Sequence, residues 1–207
     1  MPFEPAGYLG SDYHPRTAEL PPEDRRIARE RSWQARGIPE RMWPALHDGA
    51  PDEPAVGPLA ARPTPALDAA SRFLGPTDMA TFLVLSGPVG TGKSFGAVWA
   101  AAWNGGRFVA AIDLLRAGLY PADPAFWPQL RFCSALVVDD LGVEPLDKGG
   151  FGLTALESLI SARYDGRRKT ILTTNLTPAD VKARLGERVW RRITEAGRWV
   201  NLAEVVQ

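Results

Sequence analysis

The sequence predicts an α/β fold in which helices cover both faces of a mostly parallel β-sheet. Two observations support this fold class. From residue 81 onward, short apolar runs alternate with longer stretches of helical periodicity, which is typical of parallel strands joined by crossover helices. The apolar runs are also continuous, without a regular alternation of polar and apolar residues, as expected for strands that are buried on both faces.

The composition limits the classes of function. The 207 residues suit one domain of ordinary size with an appendage. The 24 basic and 24 acidic side chains give a formal net charge of zero, so binding to nucleic acid requires a local basic patch. The single cysteine, Cys133, excludes an internal disulfide and a cysteine-based zinc site. No apolar run approaches the roughly 18 residues of a membrane helix, and the N-terminus shows no secretion signal, so we expect a cytoplasmic protein without membrane contact.

Proline residues divide the N-terminal region. Residues 1–22 show no period and predict a tail, whereas residues 23–36 predict an exposed helix. The six arginines of residues 25–41 form either a solvated face or a surface for a partner protein. Residues 48–66 are rich in proline, glycine and alanine, which is typical of a linker. We therefore divide the chain into an N-terminal region of residues 1–66, a possible partner-binding segment, and a main domain of residues 67–207.

The main domain is predicted to begin with a short helix at residues 67–74. Its predicted strands cover residues 81–87, 106–113, 135–140, 169–175 and 197–205. Helices are predicted at residues 93–103, from residue 114, at residues 152–164, and as one or two helices within residues 177–193. Phe126 and Trp127 lie in a proline-rich connection between the second and third strands, where they either pack against the domain or stack on bases.

The stretch GPVGTGKS, residues 87–94, fits the phosphate-loop pattern G-x-x-x-x-G-K-[ST] in full and lies between a predicted strand and a predicted helix. Its glycines allow consecutive backbone N–H groups to surround phosphate oxygens, beside the positive end of the helix. Lys93 is expected to reach the β- and γ-phosphates, and the Ser94 hydroxyl to bind Mg²⁺. The residues predicted to bind ATP are Gly87, Pro88, Val89, Gly90, Thr91, Gly92, Lys93, Ser94 and Phe95.

Polar residues also end the third and fourth predicted strands. Asp139 and Asp140 follow the apolar run ALVV, at the end of a parallel strand where ligands bind. We expect Asp139 to hold Mg²⁺ through water and Asp140 to orient the attacking water. Asn175 ends the fourth strand, where its amide either positions the same water or serves only as a strand terminator and helix cap.

The order of these motifs resembles the AAA+ ATPases of the DnaC/IstB-type group, which comprises bacterial helicase loaders and insertion-sequence helper ATPases. The matching segments lie within residues 30–203 and are ARGIPERMW, GPVGTGKSFGA, VVDDLG, ISARYDGRRKTILTTN and LGERVWRRI. The resemblance implies a P-loop NTPase with an AAA+ core, whose five-stranded parallel sheet has the order 5-1-4-3-2. It also implies subunits that assemble into a ring or open spiral. Only a few residues follow the last predicted strand, so we expect no C-terminal lid domain.

The same resemblance assigns an arginine finger to residues 185–193. Two arginines recur four residues apart in the family pattern, which matches Arg192 as the finger and Arg188 as its support. On one helix these two share a face, whereas Arg191 points elsewhere. A guanidinium supplied by a neighbouring subunit stabilises the charge that develops on the γ-phosphate, so hydrolysis would depend on assembly.

The motifs and the family resemblance they carry imply three hypotheses about function. The first is an ATP- and Mg²⁺-dependent helicase loader that binds the replicative helicase and helps to place it on single-stranded DNA. The second is a transposition helper that binds duplex DNA and recruits a transposase. The third is a nucleotide-gated adaptor with little hydrolysis. Asp140 stands where many AAA+ proteins carry a glutamate, and its shorter side chain predicts the slow hydrolysis of a switch.

Overall fold

The protein forms one five-stranded sheet in which every pair of neighbouring strands is parallel. The computed structural model describes residues 20–48, 64–119, 123–142 and 151–203. The strand order is β2-β3-β4-β1-β5, which is the predicted order read from the other edge and confirms the fold class. The strands are β1 (Phe82–Ser86), β2 (Arg107–Ala110), β3 (Ala135–Asp139), β4 (Lys169–Thr174) and β5 (Gly197–Asn201).

Helices precede the sheet and connect its strands. They are α1 (Pro22–Ala35), α2 (Trp43–Asp48), α3 (Pro65–Leu74), α4 (Lys93–Trp103), α5 (Ala111–Leu119), α6 (Phe126–Phe132), α7 (Phe151–Asp165) and α8 (Pro178–Glu195), with a 3₁₀ turn at Glu40–Met42. No helix of the described residues is long and apolar enough to span a membrane.

Several details of the predicted elements were wrong. The fifth strand was predicted to reach residue 205, but β5 ends at Asn201, and the short helix α2 was not predicted. The second strand was predicted to reach residue 113, but β2 ends at Ala110 opposite Asp139, and α5 begins at the next residue. The helix α6 was not predicted, because prolines surround and interrupt its sequence. Phe126 and Trp127 of α6 pack partly buried against the core, which favours packing over base stacking.

The sheet is buried on both faces, as its continuous apolar strands predict. On one face, Val138 and Leu172 pack with residues of α5, α7 and α8. On the other face, Leu83 and Ile171 pack with α3 and α4. Gly96 of α4 allows this second layer to form, because a Cβ atom there would lie 2.6 Å from the backbone nitrogen of Leu67.

The described part of the N-terminal region shares a core with the main domain. Trp33 and Leu46 are buried against Trp99 and Trp103 of α4. The adjoining turn rests on the edge strand, where the N–H group of Phe108 donates to the carbonyl of Arg36 at 3.0 Å. The predicted helix at residues 23–36 is thus present as α1, with one edge buried and the rest largely exposed. The domain boundary at residues 66 and 67 stays a prediction.

The last helix changes direction near its middle. Gly186 has φ 81° and ψ 163°, which is not helical, so α8 consists of two helical segments joined by a kink. Thr177 and Asp180 form a capping box at its N-terminus, which satisfies backbone N–H groups that have no partner within a helix. In the second segment, Val189 and Ile193 are buried in the core. This burial fixes the rotation of the segment that carries the three arginines.

Candidate functional site

The phosphate loop connects β1 to α4 at the carboxyl edge of the sheet. Gly87, Gly90 and Gly92 all have positive φ angles, of 141°, 88° and 81°, a region that side chains with a Cβ atom rarely adopt. Gly92 is the N-cap of α4, and Lys93 is its first residue. The loop therefore ends directly at the positive, N-terminal end of α4, where anions bind favourably.

Lys93 is largely buried and reaches back over the loop. Its Nζ donates to the carbonyl oxygens of Gly87 and Pro88, at 2.7 Å each. Burial lowers the pKa of this ammonium group, while the negative charges of Asp140 and Asp139 oppose that shift. The side chain thus lies between the loop and the two acids, where a bound phosphate would meet it.

Asp139 ends β3 and Asp140 follows it, and a threonine of the neighbouring strand β4 orders both acids. The Thr173 Oγ1 donates to Asp139 Oδ1 at 2.6 Å and accepts from the backbone N–H of Asp140 at 2.9 Å. Asp140 has φ 60°, a left-handed conformation that Asp tolerates better than most residues. The Asn175 Nδ2 donates to Asp140 Oδ1 at 3.4 Å. Thr173 was not predicted as a site residue, since a threonine within a strand carries no motif.

These groups surround one cavity of about 450 Å³. The residues that line it and were predicted from the sequence are Val89, Gly90, Gly92, Lys93, Ser94, Phe95, Asp139, Asp140 and Asn175. Arg41 and Met42 also line it, although they were not predicted as site residues. The resemblance did include their segment, but its arginines were interpreted as a solvated or partner-binding surface.

The remaining predicted loop residues form hydrogen bonds within the loop and with Lys93. The carbonyls of Gly87 and Pro88 hold Lys93, and the Thr91 hydroxyl donates to the Pro88 carbonyl at 2.9 Å. Ser94, which carries a hydroxyl, and Asp139, which carries a carboxylate, both line the same cavity. Oxygen donors of this kind suit Mg²⁺, which binds through one or two protein oxygens together with phosphates and water. The residues present therefore fit a Mg²⁺-nucleotide site.

Two of the three arginines in the second segment of α8, after Gly186, form ion pairs within the chain. The Arg188 Nη1 lies 3.1 Å from Glu157 Oε1 of α7. The Arg191 Nε lies 3.5 Å from Glu195 Oε1, one helical turn further along α8. Neither arginine is among the residues that line the cavity.

Arg192 differs from these two. Its guanidinium carbon lies 5.9 Å from the centre of the Tyr164 ring, and its Nη1 donates to the carbonyl oxygen of Arg188 at 3.2 Å. Within the described residues, no carboxylate pairs with Arg192. Arg192 also lies outside the cavity of its own chain.

Comparison with known proteins identifies the fold. No protein-family model matches the sequence, and no curated protein matches it. A crystal structure of the DnaC helicase loader matches with a TM-score of 0.61 at 24% identity, covering 79% of this chain and 99% of that one. A crystal structure of DnaI matches with a TM-score of 0.55 at 19% identity, covering 66% and 79% of the two chains.

The replication initiator DnaA bound to AMPPCP and single-stranded DNA matches with a TM-score of 0.54 at 17% identity. That match covers 65% of this chain and 44% of DnaA. The similarities show the P-loop AAA+ fold of DnaC-type proteins. The resemblance inferred from the sequence motifs is therefore confirmed at the level of the fold.

Proposed function

We propose that the protein is an ATP-dependent helicase loader. The observation that carries this proposal is the match to the DnaC helicase loader, which covers 99% of that chain, together with the cavity at the carboxyl edge of the sheet. The cavity beside this edge gathers a phosphate loop, two acids and an amide. A fold alone does not specify a function, and these side chains supply the chemistry that the fold leaves open.

We propose ATP as the ligand of the cavity and ATP hydrolysis as its reaction. Backbone N–H groups of the loop and the Lys93 ammonium group bind the phosphates. Ser94 and Asp139 would hold Mg²⁺, which neutralises charge on the phosphates when it is bound. The Asp140 carboxylate, oriented by the Asn175 amide at 3.4 Å, positions the water that attacks the γ-phosphate.

We propose that a second copy of the chain supplies a further cation to this site, through Arg192. Two features of Arg192 support this role. It lies outside the cavity of its own chain, and within the described residues no carboxylate neutralises it. Arg188 is held by Glu157, which suits a supporting residue of the same interface. Hydrolysis would then require assembly into a ring or spiral.

The proposed partners are the replicative helicase and single-stranded DNA, with the ATP state controlling assembly and hydrolysis controlling release. The test is a pull-down of the purified protein against the helicase of its host and any adjacently encoded transposase, with and without ATP. ATP-dependent capture of the helicase supports the proposal. Capture of the transposase alone, together with binding to duplex DNA, would replace it with a transposition helper.

The arginine assignment has its own test in Arg192→Ala. We expect ATP affinity near that of the wild type and a loss of assembly-stimulated hydrolysis of about 10³–10⁵-fold, because a finger of this kind contributes that much to rate. Mixing this variant with Lys93→Ala protein should restore part of the activity, since Lys93→Ala subunits still supply Arg192. Normal hydrolysis by Arg192→Ala contradicts the assignment. Assembled wild-type protein that binds ATP without turnover indicates the nucleotide-gated adaptor instead.

A further inference from the structure

The contact between Arg192 and Tyr164 carries an inference that rests on the proposed function. Tyr164 lies near the end of α7, and its ring faces the Arg192 guanidinium at 5.9 Å. The Tyr164 hydroxyl donates to Glu195 Oε2 at 3.2 Å. We propose that Tyr164 is a positioning residue, which holds Arg192 in the direction needed to reach the γ-phosphate bound by a neighbouring copy of the chain.

The backbone beneath Arg192 is already fixed by packing. Val189 and Ile193 are both buried in the core cluster between α8 and the sheet, and Tyr164 packs partly buried against the same cluster. The ring and the helix therefore rest on one common core. An arginine side chain has several rotatable bonds, so a fixed backbone alone does not orient its guanidinium group. The ring of Tyr164 and the carbonyl oxygen of Arg188 supply that orientation.

The chemistry of the ring distinguishes this contact from an ion pair. An aromatic face attracts a guanidinium group through its quadrupole but leaves the charge unneutralised. A carboxylate would hold the arginine more strongly, and that ion pair would have to break before the arginine could meet phosphate. Arg191 is in this second situation, because its Nε lies 3.5 Å from Glu195. Tyr164 thus orients the Arg192 guanidinium and leaves its charge available for the phosphate bound by a neighbouring copy.

Two substitutions separate the ring from the hydroxyl. Tyr164→Leu removes the aromatic face, and we expect it to lower the assembly-stimulated kcat about three- to tenfold, since a small misplacement of a catalytic group costs rate steeply. The KM for ATP should not change, because Tyr164 does not line the cavity. Tyr164→Phe keeps the ring and loses only the bond to Glu195, so we expect a kcat within about twofold of wild type.

The decisive experiment places Tyr164→Leu on one side of the interface at a time. Full-length subunits carrying Lys93→Ala serve as donors, because they supply Arg192 but do not bind ATP productively. Subunits carrying Arg192→Ala serve as acceptors. In equal mixtures, Tyr164→Leu in the donor should lower hydrolysis about three- to tenfold, whereas the same substitution in the acceptor should have no effect. Thermal unfolding of each subunit checks that it is folded. A donor carrying Tyr164→Phe serves as the control that keeps the ring and lacks the hydroxyl.

Each outcome decides the question. A drop confined to the donor, with activity retained by Tyr164→Phe, supports the inference. Equal activity with and without Tyr164→Leu in the donor overturns it, and an equal drop in both placements assigns Tyr164 a purely structural role. If the unmodified donor and acceptor do not complement each other, the arginine supplied in trans is itself refuted. That last result identifies the proposed function, rather than the tyrosine, as the part that fails.

Discussion

Thr173→Val is the most direct perturbation of the acid pair, because it removes one hydroxyl and leaves the shape of the side chain nearly unchanged. The hydroxyl donates to the Asp139 carboxylate at 2.6 Å, and a hydrogen bond to a charged group contributes about 1.5–3 kcal/mol. The N–H of Asp140 loses its acceptor as well. We therefore expect the free energy of unfolding to fall by about 2–4 kcal/mol, a shift of about 1 M in the urea midpoint.

The same substitution should weaken Mg²⁺ binding. A residue that orients a metal-binding carboxylate typically affects metal affinity by about 10–100-fold. The Mg²⁺ concentration for half-maximal hydrolysis should rise by that factor, which a titration of Mg²⁺ at saturating ATP measures. The reasoning is refuted if Thr173→Val unfolds at the wild-type urea concentration and needs no more Mg²⁺ than the wild type.

Thr170→Val is the matched control, since Thr170 is also fully buried on β4 but lies at its opposite end. Its hydroxyl accepts from Arg163 Nε at 2.7 Å and donates to the Arg168 carbonyl at 2.9 Å, so a comparable loss of stability is expected. The Mg²⁺ requirement should stay at the wild-type value. Equal shifts in both variants would mean that global stability, rather than the orientation of Asp139, controls Mg²⁺ use.

Two further predictions concern packing and pH. Gly96→Ala should lower the free energy of unfolding by about 1–3 kcal/mol, because the new Cβ would lie 2.6 Å from the Leu67 nitrogen. Thermal unfolding measures this loss. A melting temperature equal to that of the wild type would contradict the close approach of α3 and α4. His47 is buried with its Nε2 2.9 Å from Glu30 Oε1, and burial lowers its pKa below the ordinary 6.5. The unfolded chain therefore takes up the proton first, so stability should fall as pH decreases from 6.5 toward the lowered pKa. Urea unfolding at pH 7.5 and 5.5 measures this loss of stability, and the loss should be smaller in His47→Gln than in the wild type. An equal loss in the variant and the wild type would refute the role of His47.

The parts of the site that could be predicted are those that local sequence specifies. The phosphate loop needs glycines and a lysine at fixed spacing between a strand and a helix, and Asp139 and Asp140 are placed by the apolar strand before them. The order of the strands came from the resemblance rather than from the residues. In each of these cases the information lies within a short segment or in the order of such segments along the chain.

The parts that were missed depend on contacts between distant segments. Arg41 and Met42 reach the cavity only because Trp33 and neighbouring residues pack the N-terminal region onto α4. Thr173 acts through a hydrogen bond between two strands whose adjacency the sequence does not display. Neither contact has a period or a spacing of its own, although the family resemblance did include the segment of Arg41 and Met42. The end of β2 was misplaced for a related reason, because it depends on where its pairing with β3 stops.

The packing of the N-terminal region also bears on how ATP could control partner binding. Trp33 of α1 meets Trp103 at the end of α4, with ring centres 5.8 Å apart, and α4 begins at Lys93 of the phosphate loop. The segment after α1 continues to Arg41 and Met42 on the cavity wall. A ligand that fills the cavity would therefore contact the segment that connects to α1 through Arg41 and Met42, and would contact α4 through Lys93. A ligand shifts partner binding only through contacts that differ between the bound and free states. Arg41, Met42 and the start of α4 supply such contacts. Where the exposed side of α1 forms part of the partner surface, we expect ATP to change helicase capture by this route.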